Sequence, residues 1–306
     1  MIPIMVLKFS VGTPDRRCVG LPSAKPVAFQ ARVLRSLDQL PAFSPIINRL
    51  LASLAKEHVS FAELAGLIEK DTVLSGNLLR IVNSALYSLR GTVSSVSHAI
   101  AIMGLTRLRN TVLTASLARM WRRAPPTRTW SGAAFNLHSA ATASLADLIV
   151  QRLPVAYPEG AFTAGLFHDL GKLLTASTVP EVYEILSLPD EGDSGELEAR
   201  EREKLGLTHA ELASMALARW NLPLPIQKAV EYHHAPEDSN GWRRPLSQVI
   251  QTADLCVNLM GLTVAPVTRA GASSPEQALA DLGLGDGVTK LMDEFSGELT
   301  VLRSFF

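Results

Sequence analysis

Apolar residues recur at helical spacing along most of the chain from Phe29 onward, with polar residues marking the ends of each run. In "VSFAELAGLIEK", Phe61, Leu64, Ala65 and Ile68 fall on one face of a predicted helix. Ser60 and Glu63 have the spacing of a capping box, and Val59 and Leu64 that of a hydrophobic staple. Asp71 predicts the N-cap of the next helix, whose stripe is Leu74, Leu78, Ile81 and Ala85. A third helix, Val96 to Met103, is expected to stop at Gly104, with Thr106 capping a fourth through "RLRNTVLTASLARMW". Leu291, Phe295, Leu299 and Leu302 mark a last amphipathic helix. Apart from a short candidate strand, "IMVLKFSV", no alternating pattern appears, and no repeat at a period of roughly 20 to 50 residues is visible. The pattern predicts an all-α protein.

Breaks in the pattern divide the chain. Residues 1–28 lack a helical period and read as an appendage. Residues 29–121 form a first helical half, which "RRAPPTRTW" ends, because Pro125 and Pro126 cannot continue a helix. A second half is expected over 131–262, followed by a loop and helix over 263–306. The acidic run over 188–204 reads as a solvated loop leading into a charged helix.

Composition narrows the function classes. Of 306 residues 47% are apolar and only 6% aromatic, which suits an Ala/Leu/Val-rich helical protein rather than a sandwich or barrel. Basic and acidic residues balance at 29 each, so no global field attracts nucleic acid or an anionic membrane. The short helices around residue 107 have the look of a helix-turn-helix, but Arg107 and Arg109 run into Val112, Leu113, Ala115 and Leu117, a core face. Cys18 and Cys256 make no disulfide framework or CxxC motif, as in a reducing compartment. Lys8 interrupts the apolar "MIPIMVLKF", which is too short for a signal peptide or a span. A cytoplasmic protein with no membrane association is expected.

Several polar residues stand where the core should be. His138 lies in the stripe of Ala134, Ala141, Leu145 and Leu148. Asp254 sits four residues after Ile250, and an ionised carboxylate there needs a partner. In "AGLFHDLGKLL", His168 and Asp169 are flanked by Leu166, Phe167, Leu170, Leu173 and Leu174. Adjacent helical residues diverge by about 100°, yet both can reach an ion lying between them. His209 follows Thr208, which forms a capping box with Glu211, so the positive helix end should keep this imidazole neutral. His233 and His234 end "PLPIQKAVEYHH". Taken singly, each histidine could be a hydrogen-bonded core residue. Taken together with two carboxylates, they have the composition of a divalent metal site between helices, with iron, manganese, nickel or zinc all compatible.

The motifs "NSALY", "AIAIMG", "FNLHSAATASLADL", "AFTAGLFHDLGKLL", "LARWNLP" and "EYHH", with "TADL", resemble the HDOD family, the HD-related output domain of bacterial signalling proteins, from about Leu34 to Met260. The resemblance implies an all-helical fold whose second half is related to HD-superfamily metal-dependent phosphohydrolases. It implies a first metal held by His138, His168, Asp169 and Asp254, and a second ion by His209, His233 and His234. Lys172 matches the lysine after the HD pair, a phosphate contact. After His234 the chain reads "APEDSNGW", without the glutamate or GYP signature of the related cyclic-dinucleotide phosphodiesterases.

The resemblance therefore implies a regulatory module that contacts another signalling protein and retains a metal site of one or two ions. The alternative is a metal-dependent phosphohydrolase acting on a phosphate ester or nucleotide, with Lys172 as a catalytic residue. No separate general acid or base can be read from the residues, and whether the protein is an enzyme stays open at this point.

Overall fold

Helix ends show how the sequence sets local structure. In this computed structural model, which describes residues 26–55, 60–84, 87, 91–120, 129–187, 197–236, 243–264 and 274–303, Asp71 accepts hydrogen bonds from the amides of Val73 and Leu74 and starts the helix Thr72–Val82. Thr208 accepts from the Glu211 amide at 3.2 Å while Glu211 accepts from the Thr208 amide at 2.8 Å, a complete capping box. Ser60 departs from its sequence reading. It stands at the N-cap but makes no side-chain cap bond, and the reciprocal half of the box is missing as well, the Glu63 carboxylate pairing with Arg49 at 3.2 Å. Phe61 also departs, being 52% exposed, whereas Leu64, Ala65 and Ile68 are buried. The predicted staple residue Val59, Ala85, the candidate N-terminal strand and the Pro125–Pro126 boundary lie outside the described residues.

The first helices are α1 (Pro26–Ser36), α2 (Pro45–Ala52), α3 (Phe61–Glu69), α4 (Thr72–Val82) and α5 (Val96–Met120). Gly104 breaks α5 internally with φ 71° and ψ 170°, a conformation that glycine alone adopts readily, at the stop read from the sequence. Helices α2 to α5 pack on one another through Leu50, Leu64, Ile68, Leu78, Ile100 and Leu108, all essentially inaccessible. Helix α1 packs instead on the helices Leu170–Thr178 and Leu197–Leu205, and Arg32 pairs with Glu181 at 2.5 Å and donates to the Thr178 carbonyl at 2.8 Å.

The later helices are α6 (Gly132–Val150), α7 (Ala161–Phe167), α8 (Leu170–Thr178), α9 (Pro180–Ser187), α10 (Leu197–Leu205), α11 (His209–Arg219), α12 (Leu224–Glu231), α13 (Leu246–Leu259), α14 (Pro275–Asp281) and α15 (Val288–Arg303). Helix α6 is the axis of this group: α7, α13 and α15 all pack on it, and Leu291, Phe295 and Leu299 of α15 are buried as expected. The described residues contain no strand, only an isolated bridge between Val155 and Arg244.

A ring cluster joins early and late helices. Phe43, just before α2, lies 4.3 Å by ring centroid from Trp220 at the end of α11 and 6.2 Å from Phe167 at the end of α7. The Trp220 indole donates to the Pro41 carbonyl at 3.1 Å. Phe167 is the residue before His168, so this contact ends one peptide bond from the polar centre.

Candidate metal centre

His138 projects from the middle of α6, His168 and Asp169 occupy the joint between α7 and α8, and Asp254 comes from α13. Their exposures are 1%, 0%, 1% and 2%, so three separate points of the chain deliver four polar groups into a sealed space. His138 Nε2 lies 3.3 Å from His168 Nε2, 3.2 Å from Asp254 Oδ1 and 3.5 Å from Asp169 Oδ2. His168 Nε2 lies 3.5 Å from both carboxylate oxygens. Ligands about 2 Å from one ion at tetrahedral angles are roughly 3.3 Å apart, so the His138, His168 and Asp169 atoms have the spacing of one coordination shell, with Asp254 Oδ1 within 3.5 Å of both imidazoles.

A second cluster adjoins the first. His209 begins α11, and His233 and His234 follow α12. His234 Nε2 lies 2.9 Å from His209 Nε2, and the His233 and His234 rings are 3.9 Å apart by centroid. Asp169 faces both clusters: Oδ2 is turned to His138 and His168, while Oδ1 lies 3.4 Å from His209 Nε2. Lys172, one turn along α8, donates to Asp169 Oδ2 at 2.8 Å. All eight residues singled out in the sequence thus converge on one region.

Tautomers follow from the outer hydrogen bonds. A carbonyl oxygen only accepts, so Nδ1 of His138 donates to Leu262 O at 2.7 Å, Nδ1 of His168 to Gly165 O at 2.7 Å, and Nδ1 of His233 to Val230 O at 2.6 Å. His209 Nδ1 donates to Glu201 at 2.7 Å. Each neutral ring therefore turns a bare Nε2 lone pair inward, the arrangement in which outer partners orient metal-binding imidazoles. Two such lone pairs 3.3 Å apart repel unless a proton or a metal ion lies between them. Asp169 Oδ1 and His233 Nε2 are fully buried and have no hydrogen-bond partner. Bare acceptors of this kind fit a divalent cation, and the mixed nitrogen and oxygen set admits iron, manganese, nickel or zinc.

The electrostatics point the same way. Burial alone would protonate Asp169 and Asp254, but surrounding imidazoles, with Lys172 beside Asp169, hold both carboxyls well below the usual range. Burial and the neighbouring His234, His168 and His209 push His233 well below the ordinary imidazole value. His209 differs from its sequence reading: burial favours the neutral ring, but the adjacent Glu201 carboxylate outweighs it and raises the pKa. Lys172 is raised too, its burial overcome by Asp169 and Asp254.

Glu198 and Glu201 were missed because they lie in the charge run read as solvated. Glu201 is 3% exposed and accepts from both Nδ1 and the backbone amide of His209. Glu198 meets His234 Nε2 at 2.9 Å. The available signal was spacing: Leu197, Glu198, Glu201 and Leu205 share one face of α10, with leucines at both ends. A separate cavity of about 640 Å³, lined by α5, α6 and α15 with Arg109, Asp147 and Glu298, contains none of the eight residues.

The HDOD domain profile matches residues 40–236. An uncharacterized protein of Treponema pallidum is 23% identical over 238 residues, 75% of this chain, and the match spans 44% of that protein's length. Among solved structures, an HDOD domain protein of unknown function from Geobacter sulfurreducens superposes with a TM-score of 0.73 at 22% identity, covering 92% of this chain and 98% of that one. A protein of Shewanella amazonensis provisionally named a metal-dependent phosphohydrolase gives 0.59 at 17% identity, covering 90% and 99%. A Marinobacter aquaeolei protein provisionally named for signal transduction gives 0.66 at 16%, covering 93% and 67%. At these identities the likeness is one of fold. No helix among the described residues is long and apolar enough to cross a membrane.

Proposed function

The chain belongs to the HDOD family, and from that premise we propose that it is a bacterial, cytoplasmic regulatory module that contacts another signalling protein and carries a divalent ion as an internal brace. The observation that carries this reading is the closure of the first ligand set. His138, His168, Asp169 and Asp254 are at most 2% exposed, so an ion held among them would sit away from solvent and from any bulky substrate. An ion there would tie α6, the α7–α8 joint and α13 together, and its binding free energy would add to folding.

The test compares metal content, melting temperature with and without a chelator, and turnover of bis(p-nitrophenyl) phosphate. The reading expects bound metal, a lower melting temperature after stripping, no turnover, and a protein partner whose binding is lost on surface substitution. Turnover abolished by both Asp169→Ala and Lys172→Ala with the fold intact would overturn it.

One observation favours a second reading, a metal-dependent phosphohydrolase. Asp169 faces both clusters, and the Lys172 ammonium is held against it at 2.8 Å. Bound ions would neutralise phosphate charge and lower the pKa of water. In that reading the Lys172 ammonium steadies a phosphate ester, and Asp169 fixes the ammonium in place.

A further inference from the structure

We propose that Glu198 is itself a metal ligand and completes the second site with His209, His233 and His234. This rests on the reading of the histidine clusters as metal sites, and it adds a residue from α10 that neither the HD-type ligand order nor the resemblance supplies.

The argument begins with three atoms. His234 Nε2 lies 2.9 Å from His209 Nε2 and 2.9 Å from Glu198 Oε1. With its Nδ1 proton directed to Glu201, the neutral His209 ring offers Nε2 as an acceptor, and a carboxylate oxygen is an acceptor as well. Asp169 Oδ1, 3.4 Å from His209 Nε2, and Nε2 of His233, whose ring lies 3.9 Å by centroid from that of His234, are both buried and unpartnered. Acceptors converging from α8, α10, α11 and the end of α12 call for a cation, and a single proton on His234 could satisfy only part of the group.

Charge supports the same assignment. The first site has its own carboxylate, Asp254, and a share of Asp169. Without Glu198 the second would have three neutral imidazoles and only the remaining share of Asp169. With it, each ion has one private carboxylate and one common one. The two glutamates of α10 then divide their work by position: Glu201 sits behind His209 and orients the ring, while Glu198 sits in front of His234.

Accessibility distinguishes the two sites. The side chains of His234 and Glu198 are 15% and 21% exposed, whereas those of the first set are at most 3%. The second ion therefore lies at the rim and exchanges faster than the first.

The test uses the full chain stripped with a chelator and titrated with Mn²⁺ by calorimetry, with content checked by elemental analysis and fold by circular dichroism. The parent should bind two ions. Glu198→Ala and Glu198→Gln should each weaken the second at least tenfold and leave the first unchanged, while Asp254→Ala should do the reverse. Were Glu198 only an acceptor holding the His234 ring, the Gln variant would keep parental affinity, and that result would overturn the assignment. Two undisturbed ions in Glu198→Ala would also sink it. A parent that binds only one ion, lost in Asp254→Ala, would refute the second site, and with it Glu198. A parent that binds none would remove the shared metal reading instead.

Discussion

Gly171 lies against the backbone of His209 so closely that a Cβ on it would meet the His209 carbonyl oxygen at 2.0 Å. This contact sets how near α8, with Asp169 and Lys172, can come to the first turn of α11. Gly171→Ala should force the two helices apart, destabilise the fold by about 3 kcal/mol and weaken the second metal site more than the first. Urea denaturation and Mn²⁺ titration check this. Parental stability and affinity would mean that the helices separate at no cost.

Asp169 is a carboxylate that faces both clusters. Asp169→Asn keeps its shape but removes the charge and one acceptor oxygen, so metal uptake should fall at both sites together. Elemental analysis after dialysis against Zn²⁺ reads the outcome. Loss at one site alone would show that the two clusters do not share this side chain.

In the metal-free protein, burial opposes charging of His138, but hydrogen bonds to Asp169 and Asp254 outweigh it and hold its pKa up at about 9. An unfolded imidazole titrates at about 6.5. A folded-state pKa raised in this way contributes stability that is complete below the unfolded value and lost as pH rises through the folded one. The stripped protein should thus lose stability between about pH 6.5 and 9, a slope that metal loading removes, because a liganding Nε2 carries no proton. A melting-temperature series in both states decides. A flat metal-free profile across that window would refute the proton on His138.

Phe43 is 7% exposed and packs between Trp220 and Phe167. Phe43→Ala should cost about 3 kcal/mol and open a cavity beside His168. A loss below about 1 kcal/mol would show that the ring contact is not a packed core.

Much of this was legible in the sequence, for reasons that differ from residue to residue. Thr208 and Glu211 form the capping box that their spacing foretold, and Asp71 caps α4. Ser60 and Glu63 carry the same pattern and fail, the Glu63 carboxylate pairing instead with Arg49, from a helix fourteen residues earlier. The polar set could be picked out because a 3.6-residue period places His138 among apolar neighbours. Glu198 and Glu201 were hidden by composition, since a helix reading "LEAREREKL" looks solvated until its leucines are aligned. The Phe43–Phe167–Trp220 cluster left no local trace, because nothing in sequence order shows that three rings so far apart will meet.

That cluster makes the two groups of helices parties to one thermodynamic cycle. Phe43 enters from the early helices and touches Phe167, whose next residue is His168. If a partner of the early helices favours one placement of Phe43, and that placement alters the ion affinity at His168, linkage fixes the reverse effect. The ion must then change the affinity for that partner by the same factor. The two affinities would then be linked, and the coupling could be read from either end of the molecule.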